Sequence, residues 1–162
     1  DFYDYFIHLN FLFNCIFSVL ISPIKRSATL SSLRSQKIQI ALLQETHLVK
    51  RDRNRFANKF FKAFSSAPNK SNGVAILVRH NLQFKQLDSW SDDKGRIVVF
   101  KLNIERTNLA LISLYAPNIL EKEFYDQITE TILELSSFKL IVAVFPLLLE
   151  LSKYRRQWHS MS

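Results

Sequence analysis

Apolar residues along the chain fall into short runs separated by polar turns, and their spacing predicts strands mixed with helices. Residues 38–43 and 139–145 are almost continuously apolar over the length of a strand, which predicts strands covered on both faces. Further strands are predicted at residues 73–78, 83–90, 96–104 and 109–115. The last two are separated by a short polar turn and are expected to form a hairpin.

Three other segments carry the apolar spacing of helices. Residues 121–135 place their apolar side chains on one face of an amphipathic helix. A helix is expected to follow the break at Ser22 and Pro23, and residues 52–62 are basic with phenylalanines at helical spacing, which predicts a surface helix. Helices that alternate with strands, followed by a strand-rich middle, predict a layered α/β sandwich.

The first 21 residues differ in composition from the rest. Residues 6–21 are apolar apart from four polar positions. A membrane helix needs about 20 mostly apolar residues, and a secretory signal needs a basic leader, whereas this shorter run follows Asp1 and Asp4. We therefore expect residues 1–21 to form a divergent first strand or an unrelated lead-in. The alternative is a membrane anchor at residues 6–21.

Composition restricts the chemistry that the chain can carry. Its 162 residues suit about one domain, and 48% of them are apolar, which allows a packed core. A single cysteine, Cys15, excludes an internal disulfide framework and a multi-cysteine zinc site. Two glycines exclude a dinucleotide fingerprint and a phosphate-binding P-loop. The net charge of +8 favours a polyanionic partner, either nucleic acid or an anionic membrane surface.

Glu45 is a candidate metal ligand because of its position after a buried strand. It follows the apolar run 38–43, at the carboxyl end of the predicted strand. Ligands of sheets covered by helices bind at such ends, and Mg²⁺ binds one or two carboxylates together with phosphate oxygens. The alternative is a solvated carboxylate that simply faces water.

Five segments occur in an order that carries a family resemblance. They are Ser-Pro-Ile-Lys-Arg (22–26), Leu-Leu-Gln-Glu-Thr-His (42–47), Gly-Val-Ala-Ile-Leu-Val (73–78), Gly-Arg (95–96) and Leu-Tyr-Ala-Pro-Asn (114–118). The series resembles the endonuclease/exonuclease/phosphatase superfamily, above all the apurinic-type, exonuclease III-like endonuclease domains of long-interspersed-element retrotransposons. The resemblance covers about residues 22–142. We assign residues 22–146 to a partial domain of this type and residues 147–162 to an unrelated basic tail.

The resemblance implies a DNase I-like, four-layer α/β/β/α sandwich that cleaves DNA phosphodiesters with Mg²⁺ or Mn²⁺ and needs no small-molecule cofactor. On the matching positions it makes Glu45 the metal ligand and places Tyr115 beside the scissile phosphate, with Asn118 shaping the same catalytic site. DNA is the expected partner, and the expected location is nuclear or cytoplasmic. Tyr115 has an alternative role as a half-buried packing residue with a hydrated hydroxyl.

Basic residues near these motifs are candidate DNA contacts: Lys50, Arg51, Arg53 and Arg96. The net charge favours DNA contact, and the alternative for the run after residue 49 is an ordinary solvated helix face. His47 belongs to the second motif, but the family's catalytic histidine lies much later in the sequence. We therefore expect His47 to be a surface or hydrogen-bonded histidine.

The sequence departs from the family pattern at three places. Alignment on Ser22 puts Ile16 where the family has a metal-proximal asparagine and Val19 where it has a glycine. The strand at 141–147 lacks the family's Gly-Asp-Phe-Asn, whose aspartate positions the attacking water and whose asparagine stabilises the transition state. The family's terminal Asp-His pair has no counterpart before Ser162.

The resemblance predicts a retrotransposon-type, Mg²⁺-dependent DNA endonuclease or exonuclease domain fragment. The departures predict that its catalysis is absent or severely impaired. A carboxylate that takes a proton from the nucleophile contributes roughly 10²–10⁴-fold to such rates. The alternative is a non-catalytic basic module that binds nucleic acid or a protein partner.

Overall fold

Two four-stranded β-sheets pack face to face in the computed structural model, and each sheet has one helix on its outer face. The structure describes residues 11–16, 22–47, 57, 59–66 and 73–145. The order of layers is helix, sheet, sheet, helix, which confirms the predicted α/β/β/α sandwich as a partial fold.

The first sheet holds the strands of the amino-terminal half. Its strands are β1 (Phe11–Ile16), β2 (Ile40–Gln44), β3 (Phe61–Ser66) and β4 (Val74–Arg79), in the spatial order β1-β2-β4-β3. Helix α1 (Pro23–Ser35) joins β1 to the parallel strand β2, and β4 is antiparallel to both β2 and β3. The side chain of Leu33 fixes α1 to the outer face of this sheet.

The second sheet follows in sequence order. Its strands are β5 (Lys85–Ser91), β6 (Ile97–Ile104), β7 (Thr107–Tyr115) and β8 (Lys139–Phe145), which lie side by side in that order. The antiparallel pairing of β6 with β7 confirms the predicted hairpin. Helix α2 (Lys122–Glu134) crosses over from β7 to the parallel strand β8, and Phe124 packs it against the outer face of the sheet.

The core between the sheets is built from alternate residues of the central strands. Leu42 and Ile76 of the first sheet meet Phe100 and Leu111 of the second, and all four are fully buried. The ring of Phe64 stacks on that of Phe100 with centroids 4.0 Å apart. This contact holds the two sheets in register, so that residues at the ends of strands from different sheets can meet.

The prediction of a helix through residues 52–62 is wrong at its carboxyl end, where Phe61 and Lys62 begin β3. Phe61 packs on the outer, helix-covered face of the sheet and Phe64 in the core between the sheets, whereas Lys62 is exposed, as suits an edge strand. Residues 52–56 and 58 lie outside the described residues. The spacing of Phe56, Phe60 and Phe61 in the sequence suits a helix, but pairing with β4 makes Phe61–Ser66 a strand.

The apolar amino-terminal segment contributes a strand where the structure describes it. Phe11–Ile16 forms β1 and pairs with β2 in parallel. The remainder of residues 6–21 lies outside the described residues. Within the described ranges, none of the helices is both long and apolar enough to cross a membrane.

Candidate functional site at the carboxyl ends of β2 and β7

The two central strands β2 and β7, one from each sheet, meet at their carboxyl ends through three side-chain hydrogen bonds. Ser113 Oγ donates to the carbonyl oxygen of Leu43 at 3.1 Å, and Gln44 Nε2 donates to Ser113 Oγ at 3.1 Å. Two residues after Ser113, the Tyr115 hydroxyl donates to Oε1 of Glu45, the residue that follows Gln44, at 3.0 Å. The strands therefore run in the same direction across the sandwich, and the predicted residues Glu45 and Tyr115 are in direct contact.

Glu45 is held in a backbone conformation that glutamate seldom adopts. Its φ is 51°, in the left-handed region, and that of His47 is 52°. Such a conformation costs a residue with a Cβ atom about 1–2 kcal/mol. The flanking side chains of Gln44 and Thr46 are fully buried, and the Thr46 amide donates to the carbonyl of Gly73 at 3.0 Å. Burial on both sides thus keeps the Glu45 carboxylate turned toward Tyr115.

The two buried neighbours of Glu45 retain unused polar atoms. Gln44 Oε1 and Thr46 Oγ1 lie in the interior without a hydrogen-bond partner among the described residues. A buried polar atom without a partner costs about 1–3 kcal/mol. The polar residues on either side of Glu45 therefore lower the stability of the fold, which favours a functional reason for their presence.

The environment of Tyr115 keeps its hydroxyl protonated at neutral pH. Burial raises the pKa of this phenol above its ordinary value, and the hydrogen bond to Glu45 and the negative charge of that carboxylate raise it further. The ring packs against the core between the sheets, and the Tyr115 amide donates to the carbonyl of Arg96 at 2.8 Å. Tyr115 is thus a fixed hydrogen-bond donor to Glu45.

Asn118 and His47 lie close in sequence to this contact. Asn118 is exposed in the segment between β7 and α2, three residues after Tyr115. His47 is partly buried two residues after Glu45. The roles assigned to these two residues from the sequence stay predictions.

Arg96 lies in a different environment from the one that a DNA contact requires. Only 8% of its surface is exposed, and its guanidinium Nη1 donates to Glu121 Oε2 at 2.7 Å. The guanidinium also lies over the ring of Phe124, 4.8 Å from the centroid. This position corrects the assignment: the guanidinium of Arg96 is held by Glu121 and Phe124, and Arg96 fixes the start of α2 to the second sheet. The other candidate DNA contacts, Lys50, Arg51 and Arg53, lie outside the described residues.

Glu45 supplies one carboxylate, the smallest number with which proteins commonly bind Mg²⁺. Mg²⁺ is bound in many sites by one or two carboxylates, with substrate phosphates and water completing its shell. The part of the chain that the structure describes contains no group of three or more His, Cys, Asp or Glu that could hold a metal. The position of β1 paired with Gln44 is Ile16, a residue type without a ligand atom. The residues present therefore fit a one-carboxylate site.

The register of β8 identifies which residue lies beside this site. Ile141 and Ala143 belong to the core between the sheets, whereas Val144 packs on the side of α2. Position 145, at the end of β8, is paired with Tyr115. This position lies within residues 141–147, the segment in which the family's Gly-Asp-Phe-Asn is absent from the sequence.

Comparison with protein-family models matches residues 18–150 to the Endonuclease/Exonuclease/phosphatase family. This match confirms the resemblance drawn from the motifs. It includes both Glu45 and Tyr115.

The fold is also similar to solved structures. The endonuclease domain of TRAS1, a telomere-specific non-LTR retrotransposon, matches with a TM-score of 0.53 and 21% identity, covering 74% of this chain and 52% of that one. D. rerio TDP2 complexed with single strand DNA product matches with a TM-score of 0.50 and 14% identity, covering 74% and 51%. The Bacteroides thetaiotaomicron VPI-5482 mannosyl-6-phosphatase Bt3783 matches with a TM-score of 0.57 and 13% identity, covering 74% and 55%. The chain spans about half the length of these structures, and likeness at these identities shows the fold.

Proposed function

Because the chain belongs to the endonuclease/exonuclease/phosphatase family, we propose that residues 22–146 are part of a Mg²⁺-dependent DNA phosphodiesterase of retrotransposon type. The observation that carries the proposal is the contact between Glu45 and Tyr115 at the carboxyl ends of two central strands. DNA as the substrate is supported by two of the similar structures, one named as a retrotransposon endonuclease domain and one as a complex with single strand DNA product.

The residues of the site suit the binding of a phosphodiester. A Mg²⁺ ion at Glu45 would neutralise charge on the phosphate oxygens and assist the departure of the leaving oxygen. The Tyr115 hydroxyl orients the carboxylate by donating to one of its oxygens, which leaves the other oxygen for a cation. Asn118, exposed in the following turn, is proposed to donate its amide to the phosphate.

We also propose that hydrolysis by this chain is absent or severely impaired. The position paired with Tyr115 is occupied by Phe145. A phenyl ring cannot accept a proton from the attacking water, and loss of a general base costs roughly 10²–10⁴-fold in rate. The site therefore retains groups for the metal and the phosphate but lacks the group that would activate the nucleophile.

The test is a nicking assay on supercoiled plasmid with Mg²⁺, using restored and control variants. We expect wild-type protein to nick no faster than the Glu45→Gln variant. The double variant Phe145→Asp/Leu147→Asn restores a carboxylate and an amide at the family spacing and should gain at least about 10-fold. The matched control Val144→Asp/Leu147→Asn carries the same two groups, with the carboxylate on the α2 side of β8, and should gain nothing.

The outcomes separate the parts of the proposal. A gain in the restored variant that disappears on adding Glu45→Gln supports the metal role of Glu45. Nicking by the wild-type chain that requires Glu45 would overturn the proposed impairment. A gain in the control variant equal to that of the restored one would overturn the assignment of position 145.

A non-catalytic nucleic-acid-binding module is a second candidate, and the distribution of charge favours it. Residues 22–87 contain thirteen Lys and Arg against two Asp and Glu. Cation-rich surfaces bind nucleic acid through its phosphates, with strong dependence on salt. Binding of duplex DNA that is salt-dependent and unchanged by EDTA, in a chain whose restored variant stays inactive, would support this candidate over the first.

A further inference from the structure

The positive charge of the chain is concentrated in residues 22–87, the segment that includes α1 and strands β2, β3 and β4. Residues 22–87 hold thirteen Lys and Arg against two Asp and Glu, whereas residues 88–162 hold nine against ten. Among the described residues from 22 to 87, Glu45 is the sole acidic residue. The described cations of this segment are therefore accompanied by a single acidic residue of the same segment.

Two of these cations converge on one aromatic ring. The Arg34 guanidinium at the end of α1 lies over the ring of Phe60, 4.0 Å from its centroid, and Lys59 Nζ lies 5.1 Å from the same centroid. The two positive groups are therefore at most about 9 Å apart, which is within one Debye length at 0.1 M salt. Both side chains are exposed. Phe60 thus holds two like charges near each other at the surface.

The end of β4 adds further basic residues near the same ring. The His80 amide donates to the carbonyl of Phe60 at 2.8 Å, and Arg79 is paired with Phe61 in the sheet. At the end of α1, the Lys37 amide donates to the carbonyl of Arg34 at 3.0 Å. We call this set the Phe60 cluster; its basic members are Arg34, Lys37, Lys59, Arg79 and His80.

The Phe60 cluster lies at the end of the sheet opposite Glu45. The Arg79 amide donates to the carbonyl of Gln39, just before β2 begins, whereas Glu45 follows the end of β2. A strand rises about 3.3 Å per residue, so the cluster lies about 20 Å from the proposed metal ligand. Nucleic acid bound there would contact the protein outside the phosphodiesterase site.

We propose that the Phe60 cluster is a second contact surface for the phosphate backbone of duplex DNA, independent of the proposed metal site at Glu45. The like charges gathered around Phe60 repel one another, and a polyanion relieves that repulsion while releasing its own counterions. Arg and Lys supply several donors to phosphate oxygens, and the ring keeps the two side chains in place. The surface recognises the backbone and carries no sequence readout.

The experiment measures fluorescence anisotropy of a labelled DNA duplex of about 20 base pairs, in EDTA, between 50 and 200 mM NaCl. The cluster variant is Arg34→Gln/Lys59→Gln. The control is Lys94→Gln/Arg106→Gln, which removes one lysine and one arginine from exposed turns of the second sheet. Circular dichroism and urea unfolding establish that both variants are folded.

We expect the cluster variant to bind at least about 10-fold more weakly at 0.1 M salt, with a salt slope smaller by about 2, since each lost phosphate contact removes about 0.9 from that slope. The control should change the slope by less than half as much. Equal effects in the two variants, or an unchanged slope in the cluster variant, would overturn the proposal. So would binding to phosphatidylserine vesicles without binding to DNA. The measurement uses no metal, so its outcome does not depend on whether the chain hydrolyses DNA.

Discussion

At the scale of single residues, Glu45 combines an unfavourable backbone conformation with a defined side-chain contact. Its left-handed φ is maintained by the burial of Gln44 and Thr46 on either side, and its carboxylate meets the Tyr115 hydroxyl. Ser113 contributes to the same arrangement, because it bonds both to Gln44 and to the carbonyl of Leu43. The site therefore depends on a buried serine that has no part in the motifs.

Replacement of Ser113 tests this dependence. Ser113→Ala leaves the buried Gln44 amide without its partner, and we expect a loss of about 1–3 kcal/mol in the free energy of unfolding, measured in urea. We also expect weaker Mn²⁺ binding by isothermal titration calorimetry, because Glu45 is no longer held in place. The control is Ile112→Val on the opposite face of β7, which costs about 0.5–1.5 kcal/mol. Equal loss of Mn²⁺ affinity in both variants would contradict a positioning role for Ser113.

The sequence indicated Glu45 and Tyr115 because each stands in a local motif. It did not indicate Gln44 with Ser113, or Arg96 with Glu121, as bonded pairs. These partners are distant in sequence, and no spacing rule connects residues from two different sheets. An arginine directly after a glycine turn, with an acidic residue just before a predicted helix, was the available signal for the second pair.

At the scale of elements, α2 is attached to the second sheet by an ion pair at its first turn. Glu121, the residue before the helix, accepts from Arg96, and Phe124 lies under the guanidinium. Arg96 also accepts the Tyr115 amide through its carbonyl, while Asp92 Oδ1 accepts the Arg96 amide at 2.8 Å. The start of α2 and the end of β7 are therefore held by the same residue.

The ion pair predicts a pH dependence of stability. The hydrogen bond from Arg96 lowers the pKa of the Glu121 carboxyl below its ordinary value, and the positive charges of Arg96 and Lys94 contribute. A carboxyl with a lowered pKa contributes stability above its ordinary pKa and loses that contribution as the pH falls through its pKa in the folded protein. Wild type should therefore exceed Glu121→Gln in urea midpoint at pH 6, and the difference should shrink by pH 3. Glu130→Gln, exposed on the same helix, is the control; a difference independent of pH would contradict the prediction.

Strand periodicity predicted most elements because the central strands form apolar runs that can be recognised in the sequence. It failed at β3, an edge strand whose phenylalanines also fit a helix. Pairing with β4 selects the strand there, because β4 supplies hydrogen-bond partners for backbone groups that a helix would have paired internally.

At the scale of the whole molecule, the second sheet ends in an apolar strand. Within the described residues, β8 is paired with β7 on one side only, and Val142 on this strand is 39% exposed. An unpaired apolar edge favours association with other chains, and lysine on such an edge opposes it. We therefore expect the chain to associate through the edge of β8.

Val142→Lys should reduce association at high protein concentration, measured by light scattering and gel filtration. The control Ile132→Lys alters a side chain that is 37% exposed on α2, away from a strand edge. We expect a clearly smaller effect from the control. If both lysines reduce association equally, general surface hydrophobicity rather than the edge of β8 is responsible.

The sequence by itself determined the alternation of strands and helices, the family, and the motif residues Glu45 and Tyr115, because these depend on local periodicity and short motifs. The tertiary structure decided that these two side chains touch, that Arg96 is buried, that Phe145 is paired with Tyr115 in the sheet, and that two cations lie over the ring of Phe60. Each of these facts depends on which strands pair and how the sheets pack. Strand pairing and sheet packing depend on contacts between residues far apart in the chain, and a local sequence pattern contains no information about such contacts.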